Sequence, residues 1–221
     1  MKNDISLIFL AGGIGSRFGT STPKQFLPLN GIPVAFHSLK TFLLRDDLSE
    51  IIVVCSGKYR SIFKDFPVRF ASPGNQRIDS VASGLKKLST ASKYVCIHDA
   101  VRPFINNNDI SELFVKGRQT GAAALAEPII NTVKEIDPDQ SLIVKTVNRD
   151  LLVKTHTPQF LEASVLKKGL LKAQKQNLIL TDDVSCAELL GTPCTYVFTK
   201  DLNIKITSPK DLAIAQALIQ L

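Results

Sequence analysis

The sequence predicts an α/β fold, a mostly parallel sheet with helices on both faces and one protruding β-hairpin arm. Three observations predict it. Short apolar runs recur along the chain, several of them without the polar alternation of a half-exposed strand. Stretches with apolar residues at helical spacing lie between these runs. One segment, 131–149, fits neither pattern and alternates polar and apolar residues around an Asp137-Pro138-Asp139 turn. Alternating strands and helices build a parallel sheet, whose ligand site lies at the carboxyl ends of its strands.

The first strand is residues 5–10, followed at once by glycines. Residues 51–55, 68–71, 94–98 and 122–126 read as further strands. The clearest helix carries Ile78, Val81, Ala82, Leu85 and Leu88 on one stripe and opens near residue 75, behind Gly74. Segment 131–149 reads as a hairpin, and a lone two-stranded hairpin is marginal in water. Its apolar side chains Val133, Ile143 and Val147 need a partner surface: a homodimer clasp, or this chain's own domain with the hairpin folded back as an edge. Beyond it, 161–176 and 182–190 read as helices and 195–198 as a strand. Ser208 at the N-cap and Pro209 at the first helical position open a final helix.

The composition suits a single domain over residues 1–221, with 44% hydrophobic and 21% charged residues. The apolar run near the N-terminus is too short for a secretion signal or a membrane span, so a cytoplasmic location away from membranes is expected. Cys55, Cys96, Cys186 and Cys194 are far apart with no CxxC pair, which suits reduced thiols better than zinc or disulfides. The 27 Lys and Arg against 20 Asp and Glu give a net charge of +7. These cations are scattered among acids, with no basic run longer than Lys86-Lys87 or Lys167-Lys168, which argues against nucleic acid as a partner. A cationic pocket for a small anion accounts for the excess.

The turn after the first strand, Ala11-Gly12-Gly13-Ile14-Gly15, is either a tight strand-to-helix turn with surface cations nearby or the place where that anion would bind. A dinucleotide fingerprint fails, because Phe18 stands where the third glycine belongs and 32–44 holds no acid for a ribose. A Walker A loop fails because no G-K-[ST] follows the glycines. What remains is a glycine turn whose backbone N–H groups can approach a triphosphate, with Arg17 and Lys24 to neutralise it.

Three further clusters point the same way. Arg77 falls in the first turn of its helix, where the dipole disfavours a cation unless an anion lies between. Asp99 follows a buried strand with Arg102 behind it, the placement of a metal-holding carboxylate and a phosphate-binding cation; His98 reads as a packed, hydrogen-bonding neighbour. Lys205 stands alone among apolar residues in "LNIKIT", where it either snorkels to solvent or points at a bound anion.

The ordered motifs "AGGIGSRFG", "PKQFL", "GNQRIDSV", "HDAVRPF", "NTVK", "TVNR", "TPQF", "TDDVS" and "NIKIT" resemble the cytidylyltransferases that make CDP-alcohols. They are most similar to the cytidylyltransferase family of the non-mevalonate isoprenoid pathway, which acts on 2-C-methyl-D-erythritol 4-phosphate. "AGGIG" and "HDAVRPF" also resemble ribitol-phosphate cytidylyltransferases, and a non-catalytic nucleotide-binding regulator is the alternative of another class. The resemblance implies a Rossmann-like fold of the nucleotide-diphospho-sugar transferase type. It implies that Ala11, Gly13, Gly15, Arg17 and Lys24 wrap the CTP triphosphate. Gly74, Arg77 and Ser80 would lie around the cytosine and ribose, Asp99 would hold Mg²⁺, and Lys205 would stand near the α-phosphate, so that Arg17, Lys24 and Lys205 form the catalytic set. Arg102, Thr132, Arg149 and Thr157 would line the pocket for the polyol phosphate, part of it supplied by the arm of a second subunit. Asn131 and Asn148 stand where the family often has aspartate.

Overall fold

The computed structural model describes residues 3–15, 18, 19 and 22–220. Its elements follow in chain order: β1 (Ile5–Leu10), β2 (Pro28–Leu29), β3 (Ile32–Pro33), α1 (Val34–Leu43), β4 (Leu48–Val54), β5 (Arg69–Ala71), α2 (Arg77–Leu85), β6 (Tyr94–Asp99), α3 (Asn107–Thr120), β7 (Ala122–Pro128), β8 (Val133–Asp137), β9 (Leu142–Val147), β10 (Val153–Glu162), α4 (Ala163–Lys175), α5 (Ser185–Leu190), β11 (Cys194–Phe198) and α6 (Pro209–Leu218).

Seven strands form the main sheet in the order β11-β7-β10-β6-β1-β4-β5. β1 pairs in parallel with β4 and β6, β4 with β5, and β11 with β7. β10 runs antiparallel between β6 and β7. The period-2 geometry of β1 divides its side chains between two layers. Ile5, Leu7 and Phe9 face Leu39 and Phe42 of α1 and Leu113 and Phe114 of α3. Ile8 faces the other way, into a core with Val81 of α2, Leu166 of α4 and Cys186 and Ala187 of α5. Helices therefore cover both faces, which is why the central strands carry near-continuous apolar runs. A smaller core joins Phe18, Leu29, Val34, Val101 and Ile206 to Ala215 of α6.

Local chemistry fixes the element ends. The Asn106 side chain caps α3 by accepting from the Asp109 N–H at 2.8 Å, and Gly121, at φ 96°, ends that helix in the left-handed region where glycine is at home. Ser208 and Asp211 form a capping box on α6, with Pro209 in the first turn. In the arm, the Asp137 carboxylate accepts from the N–H groups of Asp139 and Gln140, closing the β8–β9 turn. Among the described residues, β8 and β9 pair only with each other. Among the described residues no helix is long and apolar enough to cross a membrane.

Two elements depart from the sequence reading: α5 begins only at Ser185, where a helix from 182 was expected, and β10 occupies the start of the other expected helix. β10 is a ten-residue strand whose end lies where a helix from 161 was expected; α4 begins only at Ala163. Its centre is buried, but His156, Thr157 and Gln159 are polar, so the apolar run that marks an interior strand is missing. Thr157 Oγ1 accepts from the Asp99 N–H, and Gln159 Oε1 accepts from the N–H groups of Asp183 and Val184.

Candidate active site

The carboxyl ends of β1 and β6 lie side by side, joined by the Ala100 N–H donating to the Leu10 carbonyl at 3.0 Å. The glycine turn leaves β1 here. Ala11 is buried and its N–H donates to Val54 O of β4, which anchors the turn to the sheet. A Cβ on Gly12 would stand 2.5 Å from Pro73 Cβ, and Gly15 has φ 69°, so both positions need glycine. Gly13 is exposed, with open space where a side chain would be. Lys24 opens the short 3₁₀ turn Lys24–Phe26 that packs beneath. Arg17, expected beside it, lies outside the described residues. A cavity of about 270 Å³ borders the turn, lined by Ala11, Gly13, Ile14, Gln25, Ser56 and Tyr59.

Across the cleft, Gly74, Arg77 and Ser80 gather at the start of α2. The Gly74 N–H donates to Ser80 Oγ at 3.0 Å, and Gln76 and Asp79 close a capping box. A Cβ on Gly74 would lie 2.1 Å from Asp79 Cβ. Gly74→Ala should therefore cost about 1–3 kcal/mol by pushing the loop off the helix end, seen as a lower denaturation midpoint. An unchanged midpoint would mean the loop has slack.

Asp99 ends β6 and is 6% exposed. Its Oδ1 accepts from Arg77 Nε at 3.1 Å and its Oδ2 from Lys205 Nζ at 2.7 Å. The guanidinium of Arg77 also forks onto Asp183, with both bonds 2.8 Å. Asp183 is wholly buried, and burial pushes its carboxyl upward against the pull of Arg77. At Asp99 burial also resists ionisation, but Arg77 and Lys205 together hold the carboxyl far below the usual carboxylate range. The chain Asp183, Arg77, Asp99, Lys205 thus alternates in sign and is neutral overall.

Two expectations change here. The anion that repairs the cation in the first turn of α2 is supplied by Asp183 and Asp99, side chains of the protein. Lys205 neither snorkels free nor awaits an anion alone, since it is already paired with Asp99.

Behind Asp99, a second network fixes the backbone. The Asp99 N–H donates to Thr157 Oγ1 at 3.0 Å. His98 Nε2 faces the Arg102 carbonyl at 3.1 Å, so that nitrogen carries the proton and Nδ1 accepts from the Thr157 hydroxyl at 3.4 Å. Arg102 donates through a terminal guanidinium nitrogen to Asn203 O at 2.6 Å, and Asn203 donates to Thr157 O at 2.8 Å. Arg102 Nε is buried and has no partner among the described residues, an orphan donor. The Ile206 N–H donates to Val101 O, which holds Lys205 against Asp99.

Burial pushes both His98 and His156 down to about 4, so both are neutral at pH 7. An unfolded histidine takes its proton near pH 6.5, before the buried one does. Their contribution to stability is therefore complete above about pH 6.5 and is lost as pH falls towards 4, by up to about 1.4 kcal/mol per pH unit for each. Urea midpoints measured from pH 8 to 4.5 should fall in that window. A flat profile would mean that the two rings accept protons inside the fold.

Thr132 and Arg149 sit at the base of the arm, exposed. The Arg149 guanidinium donates to Ile130 O, and among the described residues no hydrogen bond joins either residue to the Asp99 network. The sequence reading assigned no role to Gln25, Asp183 or Asn203, although "PKQFL", "TDDVS" and "NIKIT" contain them.

Among the described residues no three His, Cys, Asp or Glu side chains converge to hold a metal by themselves. The donor set present fits Mg²⁺ in one form: a single ionised carboxylate, Asp99, sharing the ion with phosphate oxygens. A cavity of about 1120 Å³ between α2 and α4 is lined by residues such as Ile78, Leu85, Leu170 and Ile179 and holds none of the candidate residues.

Residues 5–221 match the family model described as 2-C-methyl-D-erythritol 4-phosphate cytidylyltransferase. The chain is 46% identical over 214 residues to the protein of that name from Chlamydia pneumoniae, covering 97% of this chain and 98% of that one. Among solved structures, it is similar to 4-diphosphocytidyl-2C-methyl-D-erythritol synthase from Anaerococcus prevotii, with TM-score 0.87, 28% identity and 98% of each chain covered. The 2-C-methyl-D-erythritol 4-phosphate cytidylyltransferase from Thermus thermophilus matches with TM-score 0.83 and 26% identity over the whole of both chains.

Proposed function

Since the chain belongs to the 2-C-methyl-D-erythritol 4-phosphate cytidylyltransferase family, we propose a division of labour among its residues for transfer of CMP from CTP to that acceptor. The reaction releases pyrophosphate and gives 4-diphosphocytidyl-2-C-methyl-D-erythritol for isoprenoid biosynthesis. The observation that carries the assignment of roles is the alternating Asp183–Arg77–Asp99–Lys205 chain facing a glycine turn at adjoining strand ends.

The turn at Ala11, Gly13 and Gly15 and the cations Arg17 and Lys24 take the triphosphate, and the loop at Gly74 and Ser80 takes the nucleoside end. Arg77 acts on the nucleotide through Asp99, which it keeps ionised and fixed. Mg²⁺ on Asp99, when bound, offsets the charge of the phosphates. Lys205, released from Asp99, turns to the α-phosphate. Arg102 and Thr157 take the acceptor phosphate, Arg102 supplying the positive charge. A phosphate monoester is largely dianionic at neutral pH, with a second pKa of about 6, so its oxygen attacks the α-phosphorus without a general base. The fixed cations lower the barrier by opposing the repulsion between two polyanions.

Thr132 and Arg149 reach the acceptor in a second subunit. In the arm, Ile136, Leu142, Ile143 and Val144 are each more than half exposed, which supports burial against another copy of the chain. The Ile136→Lys/Ile143→Lys pair should yield monomers by sedimentation with CTP binding kept and the acceptor KM raised. A dimer that persists with an unchanged acceptor KM would remove the arm from the interface. The enzyme acts in the cytoplasm, where both of its anionic substrates are soluble.

Lys24→Ala should lower turnover about 10²-fold or more with the melting temperature little changed. Pyrophosphate release with saturating substrates reads this directly, and unchanged release would take Lys24 out of the mechanism.

A further inference from the structure

Gln25 lies in the 3₁₀ turn directly after Lys24 and is 2% exposed. Its Nε2 donates to the carbonyls of Ala11 and Gly13, each at 2.8 Å. Its Oε1 is buried and accepts nothing among the described residues. A core amide chosen for packing alone would not leave that acceptor unpaired, because a buried polar atom without a partner is costly.

The geometry of the peptide plane gives the two bonds a consequence. A carbonyl and the following N–H point in opposite directions across one planar unit. Drawing the Ala11 and Gly13 carbonyls towards Gln25 therefore turns the N–H groups of Gly12 and Ile14 to the far side. Among the described residues no acceptor is found for either N–H. Backbone N–H groups presented together on one side of a turn form an anion-binding concavity, and here the second and fourth N–H groups of the turn are so presented. The same side chain ties this concavity to the backbone that carries Lys24.

We propose that Gln25 is a positioning residue for the triphosphate: it orients the backbone N–H groups of the glycine turn and fixes their distance from Lys24. This rests on the reading of the turn as the CTP triphosphate cradle. Gln25 touches no reacting atom, and its effect runs through the turn.

The test measures steady-state constants for CTP and for the acceptor with wild type, Gln25→Glu and Gln25→Met, between pH 6 and 8.5. The carboxylate that Gln25→Glu introduces cannot donate to either carbonyl while ionised, whereas its protonated form restores one donor, and burial raises the pH at which it protonates. Expected for Gln25→Glu is a loss of about tenfold or more in kcat/KM for CTP at pH 8.5, shrinking relative to wild type towards pH 6, with the acceptor KM unchanged. Gln25→Met, of similar length and without charge, should show the loss at every pH. If Gln25→Glu does not fold, Gln25→Met alone decides. Wild-type CTP constants in the folded variant, or equal pH-independent losses for both substrates, overturn the proposal while leaving the functional reading intact. An inactive wild type overturns that reading, and this proposal with it.

Discussion

Replacing Lys205 by methionine should lower turnover by about 10²- to 10³-fold while the protein melts near the wild-type temperature. The two effects separate because of where Lys205 sits. Its side chain is 39% exposed, and its bond to Asp99 is one of two cationic contacts on that carboxylate among the described residues. Removing it leaves Asp99 still paired with Arg77, so no carboxylate is stranded, and with the lysine head part-exposed the loss should stay near about 1 kcal/mol. In the reaction its role is larger. The charge around the α-phosphorus crowds together only as the acceptor oxygen arrives, so a cation fixed there acts on the transition state more than on bound CTP. The loss should therefore fall on kcat, with the CTP KM changed little. A variant with wild-type kcat would show that Lys205 does no more than balance Asp99.

Arg77→Ala should destabilise the fold strongly. It leaves two carboxylates, Asp183 and Asp99, buried and close; among the described residues the first then has no paired cation and the second has Lys205 alone. Truncating one partner of a buried charge network costs about 3–5 kcal/mol. The 30% exposure of the Arg77 side chain places the expected loss near the lower end, about 3 kcal/mol. For a chain of this size that is a fall of roughly 6–12 °C in Tm. Arg77→Lys should recover part of the stability, since it restores the charge and forfeits the two-pronged contact with Asp183. A Tm equal to wild type for Arg77→Ala would mean that water or a shifted loop already serves both carboxylates.

Much of the scaffold was legible because its signals were local. β1, β6 and the α2 stripe are apolar patterns that periodicity reads well, and the Ser208-Pro209 start of α6 is capping chemistry. The arm was legible because its alternation had no helix on either side. β10 was not, because the strand that crosses the centre of the sheet carries His156, Thr157 and Gln159 inward. Buried polar residues that serve a site imitate a surface pattern.

The site divides in the same way. Asp99 and the glycine turn declared themselves through their position after buried strands. The partners of Arg77 and Lys205 could not be read, because the fork to Asp183 spans 106 positions and the Lys205–Asp99 pair is equally remote in sequence. Gln25 was hidden for another reason: an amide between a lysine and a phenylalanine carries no pattern, and its meaning appears only when the carbonyls it holds are seen.

The most direct test of the central claim is pyrophosphate release from CTP and Mg²⁺, with 2-C-methyl-D-erythritol 4-phosphate and ribitol 5-phosphate run in parallel on the same preparation. The site as assigned predicts release that depends on the erythritol phosphate and is abolished in Asp99→Asn. Release driven by ribitol 5-phosphate instead, or none with either acceptor while CTP binds, would contradict it.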